Sequence, residues 1–162
     1  MTPNSSSLTE LNQCIQDEMS AMSAFTKILK LEQAALISGE TGQLESITQE
    51  KSLLIKQLTD LEKIRKSSLA RSGFTTDLNG MQDYLASTGE TTETKSIWQS
   101  LLEISRQAKE FNRTNGILIN RFLTRNQAAL NILHRKDPSA ALYGPNGQST
   151  NSLGSGRGFV AG

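Results

Sequence analysis

Apolar residues recur along most of this chain at steps of three and four, the period of one face of a helix. Leu8, Leu11, Ile15, Met19, Met22, Phe25, Leu29 and Leu36 describe a first helix. Ser7 followed by Glu10 has capping-box spacing, so that helix is expected to begin at Ser7, after a disordered start over residues 1–6. Ser38-Gly39 and Thr41-Gly42 close it with a turn. In a second helix Leu44, Ile47, Lys51, Leu54, Leu58, Leu61 and Arg65 are spaced 3, 4, 3, 4, 3, 4, a heptad seam with two basic interruptions that fades near Arg71-Ser72-Gly73. Thr76 reads as the cap of a short helix carrying Leu78, Met81, Tyr84 and Leu85, and residues 87–92 read as a loop. The longest helix is expected from Glu93 to His134, with the seam Ile97, Leu101, Ile104, Ala108, Phe111, Asn115, Leu118 and Phe122. At 1.5 Å per residue it spans roughly 60 Å, too long to be the buried centre of a small globule.

These elements predict an all-α protein. The expected architecture is an elongated antiparallel helical bundle of three long helices plus one short helix, with a flexible C-terminal tail. Asp137-Pro138 stops the last helix. The division is then a bundle domain over 1–137 and a Gly/Ser-rich tail over 138–162. The tail composition buries too little apolar area to offset its ordering entropy.

Composition fits this picture. With 162 residues, 36% apolar and 5% aromatic, the chain suits one helical domain and is thin for a mixed-sheet core. The only prolines are Pro3, Pro138 and Pro145, so no proline interrupts residues 4–137. Formal charge is +1, but residues 1–105 carry −5 and residues 106–162 carry +6. Such a split is read as a basic helix lying against acidic neighbours in one bundle. Cys14 is the single cysteine, which rules out an internal disulfide, and its neighbours suggest a small buried side chain. No apolar run approaches the roughly 20 residues of a membrane span, and the start Met1-Thr2-Pro3-Asn4 lacks a signal-peptide pattern. A cytoplasmic location is therefore expected.

Catalytic equipment is not expected. The single histidine, His134, falls in the last turn of the long helix, where a cation favours the helix dipole. No ligand set has metal-site spacing, no phosphate loop or nucleophile elbow occurs, and no cofactor is implied. The basic residues Arg106, Lys109 and Arg113 share a helix face, but no aromatic residues for base stacking are interleaved with them. A solvated or ion-paired face is favoured there over a nucleic-acid site.

Three patterns together resemble the FlgN family of flagellar export chaperones. The first is Leu31-Glu32-Gln33-Ala34-Ala35-Leu36 followed by the Leu44–Arg65 heptads. The second is Asn112-Arg113-Thr114-Asn115-Gly116-Ile117-Leu118-Ile119, and the third is Leu142-Tyr143-Gly144-Pro145-Asn146-Gly147. The resemblance implies a cytosolic chaperone that binds the C-terminal amphipathic helices of the flagellar hook-associated proteins FlgK and FlgL. It also implies delivery of these clients to the type III export gate, the cytoplasmic domain of FlhA. Neither nucleic acid nor membrane insertion belongs to this picture, and a homo-oligomer stays open.

Residue roles follow as expectations. Leu118, Ile119, Phe122, Leu123, Leu130 and Leu133 form an apolar surface wider than one seam, and this width assigns them to client binding. Asn112, Asn115 and Gly116 carry the family motif. For these three a structural role is favoured over binding: a polar residue setting helix register, and a glycine allowing close approach of another helix, internal or from a partner. Tyr143, beside Leu142, is assigned by resemblance to the export gate. Lys51, Glu62 and Arg65 match charged positions of the family; exposed pairs between such residues contribute about 0–1 kcal/mol, and the three are read as structural. The competing readings are a generic helical adaptor or coiled-coil structural protein and, behind it, a basic-helix nucleic-acid binder.

Overall fold

The computed structural model of the chain describes residues 5–87 and 92–136. Four α-helices run in the order α1 (Ser5–Ser38), α2 (Leu44–Arg71), α3 (Leu78–Ser87) and α4 (Thr92–Lys136), with a 3-10 turn at Thr41–Gln43 between the first two. Among the described residues there is no strand. Three long helices and one short one are therefore present, as the periodicity predicts. Of the loop expected over 87–92, Ser87 belongs to α3 and Thr92 to α4, while residues 88–91 lie outside the described residues, as do the tail from 138 and its residues Leu142 and Tyr143. Two compact units are distinguished, Met1–Asn120 and Arg121–Gly162.

In the first unit α1 and α2 form an antiparallel hairpin. Its register is read from two ion pairs, Glu18 with Arg65 and Glu32 with Lys51. One apolar cluster draws on all four helices, with Leu11 and Ile15 from α1, Leu69 from α2, Met81 and Tyr84 from α3, and Trp98 from α4 all buried. Each such side chain contributes about 1.5–3 kcal/mol by leaving water. A second cluster, Ile28 and Ala35 against Ile47, closes the other end of the hairpin.

Helix ends show where local chemistry acts. α1 starts at Ser5, so Ser7 lies inside the helix and is not its cap, and Ser5 and Ser6 are not part of a disordered start. α2 ends in a Schellman motif: the Gly73 N–H donates to the Ala70 carbonyl at 3.1 Å and the Phe74 N–H to the Leu69 carbonyl at 3.0 Å. Gly73 takes the left-handed conformation this requires, with φ +83°. Phe74 then turns back into the core, edge-on to Tyr84 with ring centroids 5.7 Å apart. The cap of α3 is Asp77 and not the expected Thr76. Asp77 Oδ1 accepts the Gly80 N–H at 2.9 Å and the Thr75 hydroxyl at 2.7 Å. These bonds, that from Thr75 foremost, hold the Asp77 carboxyl below its ordinary range. A charged acceptor at a helix N-terminus wins over a neighbouring hydroxyl because the helix dipole favours the negative charge.

Candidate functional site

The part of α4 within the first unit presents its expected seam to the other helices. Leu101, Ala108 and Asn115 are buried, while Ile97, Ile104, Phe111 and Leu118 are half-buried. Trp98, beside the seam, joins the core as well.

Two polar rungs link α4 to the hairpin. Arg65 of α2 donates its Nε–H to Glu18 of α1 at 2.9 Å, and its guanidinium lies 5.1 Å from the centroid of the Trp98 ring. At the second rung Lys51 Nζ of α2 donates to both carboxylate oxygens of Glu32 of α1, at 3.3 and 3.0 Å. Asn115 of α4 donates through Nδ2 to the same carboxylate and to the Leu29 carbonyl, both at 2.8 Å. Lys51 and Arg65 are thus not members of exposed pairs. Their side chains are 18% and 13% exposed, and their acidic partners 5% and 6%.

The signal for these rungs was present in the chain. Glu18 and Glu32 interrupt the α1 seam, and Lys51 and Arg65 interrupt that of α2, each pair two heptads apart. An antiparallel hairpin superimposes such interruptions when the turn between the helices has the right length. Glu62, by contrast, pairs on its own helix with Lys66 at 2.8 Å, and that hydrogen bond lowers its carboxyl pKa.

Burial changes the acid chemistry of the first rung. Loss of water raises the Glu18 carboxyl above the usual range despite Arg65 beside it. Nearby, burial and then the Glu18 charge push the Cys14 thiol up to about 11. Cys14 is buried and its Sγ lies 3.3 Å from the Leu61 carbonyl, so its role is packing.

The family-motif residues separate. Asn115 is fully buried in the second rung. Asn112 is exposed. Gly116 is half-buried, yet a Cβ added there meets no atom within 4 Å. Close approach of another helix of the described chain is therefore not what Gly116 serves. The basic face expected to lie against acidic neighbours is also partly self-contained. Arg106 pairs with Glu103 at 2.8 Å and Arg113 with Glu110 at 3.1 Å, both within α4, because a partner three residues back on the same helix face is nearest.

Of the residues assigned to client binding, Leu118 and Ile119 are half-buried in the first unit. In the second unit Phe122 is half-buried, while Leu123, Leu130 and Leu133 are 58%, 49% and 61% exposed. Ile132, which the width argument passed over, is 55% exposed. Within the second unit, residues 121–136 include Arg121, Arg125, Arg135 and Lys136 and no Asp or Glu, so its exposed leucines are flanked by positive charge.

A second surface joins residues of separate seams. In the first unit a recess of about 330 Å³ is lined by Met22 of α1, Ile55 and Leu58 of α2, Leu78 of α3, and Trp98 and Leu102 of α4, with the charged Glu18, Glu62 and Arg65 also on its wall. Its residues come from four helices, so no single seam announces it. Among the described residues, no group of three or more His, Cys, Asp or Glu side chains could hold a metal ion. No helix among them is long and apolar enough to cross a membrane.

Comparison with known proteins gives the lineage. The flagella synthesis protein FlgN of Proteus mirabilis is 28% identical over 152 residues, spanning 93% of this chain and 97% of that one. The flagella synthesis protein FlgN of Escherichia coli is 29% identical over 139 residues, spanning 84% and 88%. That of Salmonella typhimurium is 26% identical over 145 residues, spanning 88% and 92%. No solved structure matches. The family model described as FlgN protein matches residues 1–151, and with that span covered the chain belongs to the FlgN family.

Proposed function

We propose that this chain is a cytosolic export chaperone for flagellar hook-associated proteins. Its clients are FlgK and FlgL, held by their C-terminal amphipathic helices and passed to the cytoplasmic domain of the export gate FlhA. The observation that carries the reading is the exposure of Leu123, Leu130 and Leu133 on a helix segment devoid of acidic residues. An exposed apolar stripe on a soluble helix marks an interaction surface. Helix-in-groove docking would cover such a stripe together with the stripe of the client. A client helix that is buried only in the finished filament needs such cover beforehand, and covering requires no chemistry. Membership in a family whose relatives bear the name flagella synthesis protein supports the same reading.

The client surface comprises Leu118, Ile119, Phe122, Leu123, Leu130 and Leu133. Leu130→Asp and Phe122→Asp abolish binding of a synthetic peptide carrying the C-terminal helix of a hook-associated protein, measured by size exclusion and fluorescence titration. Both variants keep the helicity of the parent by circular dichroism. Loss of helicity in both would instead assign these residues to internal packing. Leu142 and Tyr143 serve the gate: Tyr143→Ala keeps the client and loses the FlhA cytoplasmic domain, and unchanged gate binding would remove that role.

A further inference from the structure

The cations of α4 differ between the two units. In the first unit Arg106 and Arg113 each pair with a glutamate three residues back. In the second unit Arg121, Arg125, Arg135 and Lys136 are exposed, and none of them pairs with a described residue. Residues 121–136 offer them no Asp or Glu. These cations are also sorted to one side. Around a helix that turns about 100° per residue, the four fall within an arc of about 100°. Phe122, Leu123, Leu130 and Leu133 fill a second arc of about 100°. Lys136 and Arg125 border it, about 40° and 60° from Phe122, whereas Arg121 and Arg135 lie further round. Ile132, also exposed, lies among the cations and outside the stripe. At the far border, beyond Leu123, come His134, Gln127 and Asn131, and no Lys or Arg. Gln127 there donates to Asn131 at 3.1 Å. The apolar stripe of the second unit thus has one cationic edge and one edge without Lys or Arg.

We infer that this stretch docks an amphipathic helix whose acidic residues are gathered along one edge of its own apolar stripe. The two stripes cover each other, and the acids of that edge meet Arg125 and Lys136, as flanking charges do between paired helices. Charge selects this occupant within the second unit itself. A second copy of residues 121–136 brings no acid, and the tail over 138–162 holds no Asp or Glu either. A lipid surface meets both borders of an apolar stripe alike, and here only one border is cationic. The inference rests on the reading that this segment receives a client helix, and it adds the charge pattern by which that helix is selected.

The test uses the full chain and two fluorescent synthetic peptides, titrated by anisotropy. One is the C-terminal helix of a hook-associated protein. The other is a designed helix with a leucine stripe and glutamates along one edge. Arg125→Glu with Lys136→Glu weakens binding of the designed peptide by at least about tenfold, and lysines in place of its glutamates restore it. Gln at both positions weakens it less and in the same direction, with the helicity of the parent. Arg121→Glu with Arg135→Glu changes the net charge equally but away from the edge, and weakens it by less than about threefold. An equal loss from that second pair, or no loss from the first, overturns the edge pairing. The client reading then still stands if the hook-associated peptide binds the parent and not Leu130→Asp. A parent that binds the designed peptide but not the hook-associated one overturns the client reading and supports the edge. Binding of neither overturns both. Phosphatidylserine vesicles held more tightly than either peptide, or a parent dimer that Leu130→Asp disperses, overturns the choice of occupant.

Discussion

The Asn115 amide nitrogen on α4 and the Lys51 ammonium on α2 converge on one oxygen, Glu32 Oε2 on α1, at 2.8 and 3.0 Å. One buried carboxylate thereby ties three helices together. Replacing Asn115 by Ala removes two donated hydrogen bonds and leaves Glu32 with one donor fewer. The expected loss is about 1–3 kcal/mol in urea denaturation, with helicity at low denaturant unchanged. Asn115→Asp sets a second carboxylate against Glu32 and is expected to cost more than Asn115→Ala.

Glu18 and Arg65 form the other rung, and their removal should be strongly non-additive. Arg65→Ala strands a buried carboxylate and is expected to destabilise by about 3–5 kcal/mol. The double replacement Glu18→Met with Arg65→Met removes both charges, fills the volume, and is expected to fall within about 1 kcal/mol of the parent or above it. Denaturant midpoints of the two singles and the double give the coupling.

The same pair predicts a pH slope. Burial raises the Glu18 carboxyl in the folded chain, so just above the ordinary glutamate value the folded state binds more protons than the unfolded one. Stability attributable to this group is full below the unfolded value and is lost as pH rises through the raised one. Glu18→Gln removes this term. The difference in unfolding free energy between parent and variant should therefore shift against the parent as pH rises from acid toward neutral. A flat difference across that range would remove the assignment.

Cys14 should be inert while the chain is folded. With its thiol pushed up to about 11 and its side chain buried, little thiolate is present at pH 8. Alkylation by a maleimide at that pH is expected to be at least about tenfold slower than in denaturant. Equal rates folded and unfolded would show the site to be open.

The segment joining α2 to α3 depends on two glycines for different reasons. At Gly73 the positive φ of the Schellman motif penalises any side chain, so Gly73→Ala should cost about 1–2 kcal/mol. At Gly80 a methyl would overlap the Thr75 carbonyl, which belongs to the turn that caps α3. Gly80→Ala must displace that turn, with a loss of about 1–3 kcal/mol. Thermal melts of both variants check this, with Gly116→Ala as the control that enters open space.

Local periodicity was enough for α1, α2 and α4, because a helix face repeats within a few residues and needs no distant information. The steps of three and four from Leu44 to Arg65 and from Ile97 to Leu118 ran true, and the end of α2 near Arg71 was legible in Ser72-Gly73. Helix starts were less so. Ser7 and Thr76 each had suitable chemistry, but the caps depend on where the backbone turns, and Asp77 with its charge took the second position.

The pairing between helices belonged to the tertiary structure. Lys51 and Arg65 looked like solvated interruptions until the hairpin register set Glu32 and Glu18 opposite them. Asn115 and Gly116 are neighbours in one motif, yet helical rotation sends the first into a buried rung and the second toward open space. The recess around Ile55 and Leu102 exists only where four helices meet. Sequence by itself determined which faces are oily, since that depends on residue type and spacing alone. Only the folded chain decided which of those faces are spent on one another, because burial is a property of pairs.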